Sequence, residues 1–351
     1  MISADPLLGS ALHAVGAFCA AVCYMPQKGA RGWSWQTYWL AQAIVCWLIL
    51  PTTVAALTIP QLGAVLTEAP RGAMLTSFVL GALYGVGGTA FGIAIRYIGF
   101  SLTYAIAIGI SCILGTLIPP LLAGTLGGFF GRPGSQWIVI GLLAGVVGIF
   151  TTGLAGRLKE KDLVRADSKT SFDLKRGLPL CVLAGVLSAV FGISLSAGQP
   201  IADVAAAKGA GVFQGNVIYI FACGGAFLTT AVYCLGLHWT RRTGNEYLIP
   251  PKAGPALPVH YLLAALTGIL WYGQFFFYGL GHVRMGTFQF TSWAIHMIML
   301  VLFSASVGLW LREWKETAAR TRAVLWLSLA ILLAAVISLT YGNRVAELAI
   351  F

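Results

Sequence analysis

The chain of 351 residues is 58% hydrophobic and only 9% charged, with a formal net charge of +11. A soluble domain carries about 25% charged residues, so most of this surface must face lipid rather than water. The 22 Lys and Arg sit outside the apolar runs, all but Arg344 in the connections between them, where basic residues act as topology signals, and they indicate no nucleic-acid partner.

The first apolar run, 7–25, lacks the basic leader of a cleavable signal peptide and is long enough to span a bilayer. It is therefore kept as helix 1, and it carries His13. Further runs follow at 35–57, 73–95, 101–123, 136–156, 177–197, 213–236, 260–281, 288–311 and 323–342, each ended by charge, Pro or Gly clusters. They are continuously apolar rather than alternating, which excludes a β-barrel. Only helices satisfy their own backbone in lipid, so the expected fold is all-α integral membrane, with ten transmembrane helices.

The connections after helices 1, 3, 5, 7 and 9 hold 17 of the 22 basic residues. Basic charge stays in the cytoplasm, which puts both termini on the periplasmic side. The longest basic connection, 157–176, becomes a cytoplasmic tether between a first five-helix repeat at 1–156 and a second at 177–351. Five spans per half makes the repeat inverted. At an offset of 187, Gly81, Leu83, Gly92 and Gly99 fall on Gly268, Leu270, Gly279 and Gly286, Tyr84 on Trp271, and Phe91 on Tyr278. Inverted repeats of this kind are a signature of secondary transporters, which hold their substrate near the midplane where the halves meet.

No phosphate loop, HExxH or nucleophile elbow is present, which argues against an ATP-driven pump. All eleven acids lie at span ends or in connections. An intramembrane enzyme would need a reactive pair at one depth, so no enzyme is expected. The seven cysteines fall inside apolar runs without metal spacing and read as buried hydrophobes.

That leaves neutral groups and histidine to meet an uncharged polar solute. His13 in helix 1 and His296 in helix 9 should face the protein interior, because an ionisable group in lipid is costly. Either could bind substrate or accept a proton; a histidine satisfied by a backbone carbonyl is the plainer alternative. On helix 8, Trp271, Gln274 and Tyr278 fall at i, i+3 and i+7, hence on one face. A ring offers its face to sugar C–H groups, and an amide both donates and accepts. On helix 9, Gln289, Trp293 and His296 fall at i, i+4 and i+7, and Tyr84 could supply an opposing wall. Arg96 and Arg284, at span mouths, read as interface anchors.

The stretch Trp33-Ser34-Trp35-Gln36, preceded by His13 and Tyr24-Met25-Pro26, resembles the L-rhamnose–proton symporter family of the drug/metabolite transporter superfamily. So do Arg96-Tyr97-Ile98-Gly99, Ala107-Ile108-Gly109-Ile110, Gly115-Thr116-Leu117, the loop residues Gln199-Pro200-Ile201-Ala202, and Trp271 through Tyr278. Ser292-Trp293, His296-Met297 and Glu313-Trp314 at the end of helix 9 complete a full-length resemblance. It implies import of L-rhamnose, or a related deoxy sugar or pentose, across the bacterial inner membrane. The coupling ion would be the proton, with no other cofactor, membrane lipid around the chain and no obligate protein partner. A facilitator or exporter of another small polar metabolite on the same scaffold is the alternative.

One departure matters. Where the family usually reads Trp-Ser-Trp-Glu, this chain has Gln36, nearly isosteric with a protonated glutamate but unable to release a proton. Position 36 is expected to set proton coupling, so sugar binding should depend little on pH and uphill accumulation should be lost, unless a histidine carries the proton, His13 first. The segment Lys28-Gly29-Ala30-Arg31 is less lysine-rich than the family pattern, which is expected to be neutral for transport.

Overall fold

A computed structural model describes residues 3–98, 100–164, 173–250 and 254–349. Among them, ten helices are long and apolar enough to cross a membrane. They are α1 (Pro6–Val22), α2 (Trp35–Thr58), α3 (Arg71–Ile98), α4 (Phe100–Leu122) and α5 (Ser135–Val164), then α6 (Leu174–Ala197), α7 (Asn216–Arg241), α8 (Leu257–His282), α9 (Ser292–Trp310) and α10 (Ala319–Leu348). Their outward residues include Leu57, Leu122, Trp239 and Trp310, each at least 75% exposed. Such a surface is stable only against hydrocarbon or headgroups, where Trp is favoured near span ends.

Four local differences from the sequence reading have physical causes. Gln199-Pro200-Ile201-Ala202 is not a loop but opens a short helix, Gln199–Ala207, with Pro at the start where its missing N–H is harmless. The tether 157–176 is helical in its first part, because α5 runs on to Val164; residues 165–172 lie outside the described residues. Helix 9 begins at Ser292 rather than 288. Gly286 sits at φ +63 and Phe288 at φ −106, ψ 39, so 286–291 is a 3₁₀ segment. Helix 9 also ends before Glu313-Trp314, at Trp310.

The chain forms two compact units, and neither coincides with a sequence half. The first comprises residues 1–21, 87–193 and 280–351, and the second 22–86 and 194–279. In the first unit α5 and α10 pack closely, with Gly141 and Gly148 against Leu339 and Leu332. Small residues permit this approach, which drives helix association in lipid. In the second unit α3 crosses α7 where a Cβ on Gly81 would strike the Ala222 carbonyl and one on Gly225 the Phe78 carbonyl. There, too, Gly268 of α8 lies against the Gln42 carbonyl and Val45 of α2.

The acids serve helix ends. Asp5 accepts from the Leu8 N–H, Asp173 from the Arg176 N–H, Asp162 from the Ala318 N–H and the Thr321 hydroxyl, and Glu347 from the Thr287 N–H. A carboxylate at a helix N-terminus satisfies an orphan N–H and faces the positive end of the dipole. Arg284 donates to the Leu280 carbonyl at the mouth of α8; the Arg96 side chain lies outside the described structure. Six of the seven cysteines are buried.

Candidate functional site

In the second unit an aromatic cluster gathers around Trp271 of α8. Its ring centroid lies 5.4 Å from Trp39, 5.5 Å from Trp47 and 5.2 Å from Tyr24, while Tyr84 meets Trp47 at 6.2 Å. The sequence reading had named Trp271 and Tyr84 as opposed walls, and Trp47 touches both. Tyr278 is buried, and so is Gln274, at 8% exposure, whose amide has no hydrogen-bond partner among the described residues. Tyr219 fixes the register of α8 by donating to the Phe275 carbonyl at 2.7 Å. An aromatic cluster beside an uncommitted amide suits a neutral polyhydroxylated ligand.

Gln36 is fully buried in the first turn of α2, in the same unit, and its Nε2 donates to Thr243 Oγ1 at 2.9 Å. Thr243 in turn meets His238 Nδ1 at 2.8 Å, and His238 Nε2 meets the Tyr247 hydroxyl at 3.1 Å. Tyr247 also donates to the Thr37 carbonyl. Burial pushes its phenol well above the ordinary range, so it stays a neutral donor. The start of α2 is capped from outside. Glu246 accepts from the Ser34 N–H and hydroxyl, both at 2.8 Å, and from the Thr37 hydroxyl at 2.5 Å. The Trp33 indole donates to the Glu246 carbonyl, and its ring rests on His260, 4.8 Å between centroids. The Trp33-Ser34-Trp35-Gln36 motif is thus clamped onto 243–247. Glu246→Ala should destabilise the protein by about 1–2 kcal/mol, the usual value of a lost helix cap. An unchanged melting temperature of the purified protein would contradict this account of the clamp.

In the first unit, His13 of α1 and His296 of α9 are both buried, with ring centroids 6.0 Å apart at 72°. The His13 ring also sits 3.1 Å from the Cβ position of Gly281, so the end of α8 packs directly onto it. The remaining two nominees are committed to the backbone. Gln289 lies in the 3₁₀ segment before α9 and donates to the His282 carbonyl at 3.0 Å, so it does not share an α-helical face with Trp293 and His296. Trp293 donates to the Ser111 carbonyl at 3.0 Å, its ring wedged between Gly115 and Gly192. Among the described residues no group of three or more His, Cys, Asp or Glu is placed to hold a metal ion.

Residues 2–343 match the family model of the L-rhamnose-proton symport protein (RhaT). The chain belongs to the L-rhamnose–proton symporter family. Relatives named L-rhamnose-proton symporter include one from Cronobacter sakazakii, 37% identical over 93% of this chain and 95% of its own length. Others, from Yersinia pestis and Yersinia pseudotuberculosis, are 36% identical over 94% of this chain and 96% of theirs.

For this member of the L-rhamnose–proton symporter family, sequence reasoning passed over Trp47, Gln42, Thr243 and Glu246. Trp47 lay in an unbroken apolar run, and Thr243 and Glu246 approach Gln36 and Ser34 only through folding, more than 200 residues away in sequence. Gln42 alone carried a signal, a lone amide inside a membrane span.

Proposed function

We propose that this chain imports L-rhamnose, or a closely related deoxy sugar or pentose, across the bacterial inner membrane by proton symport with alternating access. The full-length family match carries this reading. The sugar would use Trp271, Gln274 and Tyr278 with Tyr84, a surface without a carboxylate, as a neutral solute requires. Gln36 cannot titrate, so the proton falls to the buried His13–His296 pair. Trp293 and Gln289 would serve by holding α9 in place.

The same reading includes two inverted repeats with both termini periplasmic. What supports the repeat is a correspondence of crossings: Gly81 of α3 packs on α7, and Gly268, its mate at an offset of 187, packs on α2. Exchanging helices 3 with 8 and 2 with 7 maps one crossing onto the other. No catalytic activity, cofactor other than the proton, or obligate protein partner belongs to this function; the surrounding partner is lipid.

The test is a sugar panel on the purified protein. L-rhamnose should raise the melting temperature in a saturable way, and D-glucose should do so only at far higher concentration. Equal stabilisation by both sugars would remove the specificity assigned here.

A further inference from the structure

Gln42 lies inside α2 with no accessible surface, and neither its Oε1 nor its Nε2 has a hydrogen-bond partner among the described residues. Gln36, six residues earlier, holds Thr243; the Gln42 side chain bonds to none of the described residues. A buried amide without partners is a standing cost that a leucine of similar size would not incur. Such a group is retained where something else completes its bonds.

The backbone indicates where the amide faces. Residues 44–49 of α2 form a π segment, in which the Leu50 N–H donates to the Val45 carbonyl five residues back. Single π turns occur frequently at functional sites because they re-aim side chains. On a regular α-helix Trp39 and Trp47, eight residues apart, would point about 80° away from each other. Here both rings pack on Trp271, so the wider turn has brought Trp47 back to the face of Trp39. Gln42, three residues after one and five before the other, falls on that shared face. The Trp47 indole N–H, 1% exposed, likewise has no acceptor among the described residues. Gly268 fixes the depth of the face, because the α8 backbone closes directly on the Gln42 carbonyl and Val45.

We infer that Gln42, with the Trp47 indole N–H beside it, is a sugar-hydroxyl-binding group whose geometry the π segment of α2 creates. The inference rests on the sugar-transport reading and assigns to it a specificity-determining residue. An amide that both donates and accepts, next to a single donor, matches adjacent hydroxyls on a neutral sugar. A site built this way discriminates strongly against an analogue lacking the bonded hydroxyl.

The experiment measures binding of L-rhamnose and its 2-, 3- and 4-deoxy analogues to the wild type and to Gln42→Leu, with the melting temperature of each protein without sugar. The variant should bind L-rhamnose roughly tenfold to a hundredfold more weakly. One deoxy analogue should bind both proteins equally, and the sugar-free variant should melt at the wild-type temperature or higher. Wild-type affinity in Gln42→Leu would overturn the inference. So would a lower melting temperature with the same loss for every analogue, which marks a role in the fold or in holding internal water. If the wild type binds another monosaccharide in place of L-rhamnose, the proposed substrate falls and the same comparison is read with that sugar and its deoxy analogues. If it binds no monosaccharide, both fall.

Discussion

His13→Gln should abolish proton-driven accumulation of L-rhamnose while leaving exchange of bound for free sugar intact. At one proton per sugar, a gradient of one pH unit is worth about 1.4 kcal/mol and sustains about tenfold accumulation. In His13→Gln that ratio should fall to one. The sign of the pH dependence follows from linkage. If the imidazole must be protonated before sugar binds, affinity is highest in acid and falls as pH rises through the pKa of the sugar-free protein. The variant presents a neutral amide at every pH, so its affinity should be flat. Binding by His13→Gln that retains the wild-type pH profile would remove the histidine from coupling. Gln36→Glu, made alone, should add a second pH-dependent step, because a carboxyl would then replace the amide now bonded to Thr243.

Gln274→Ala should weaken L-rhamnose binding by about 1–3 kcal/mol, the cost of leaving a buried hydrogen-bonding group without its partner. The protein itself should be little affected, since the amide has no partner among the described residues to lose. Affinity and melting temperature measured on the same sample separate the two effects. Unchanged affinity would return Gln274 to packing, and a large fall in stability would make it a structural amide.

The ten spans were legible in the sequence because hydropathy alone fixes a membrane helix, and the observed helices fall over the apolar runs. Hydropathy is blind to what interrupts a helix. The π segment at 44–49 is as apolar as its surroundings, so the face shared by Trp39 and Trp47 was not visible. The face built from Gln289, Trp293 and His296 assumed a continuous helix from 288, and the left-handed Gly286 and non-helical Phe288 end that register. On α8, where the helix is unbroken, the spacing of Trp271, Gln274 and Tyr278 did identify buried residues. The clamp of Glu246 on Ser34 and the bond from Gln36 to Thr243 were beyond reach for another reason: they join elements more than 200 residues apart. One compact unit takes spans 2, 7 and 8 with the first part of span 3, up to Val86, and the other takes the rest of span 3 with spans 1, 4, 5, 6, 9 and 10. This sorting of like-numbered spans could not be anticipated from cutting the chain in the middle.

The most direct test is accumulation of labelled L-rhamnose in proteoliposomes carrying the unaltered chain, with Gln36→Glu measured beside it. The internal pH is set one unit above the external. The unaltered chain should concentrate the sugar about tenfold at one proton per sugar, and dissipating the gradient with a protonophore should release it. If the unaltered chain only equilibrates the sugar while Gln36→Glu concentrates it, coupling belongs to position 36 and the histidine account is wrong.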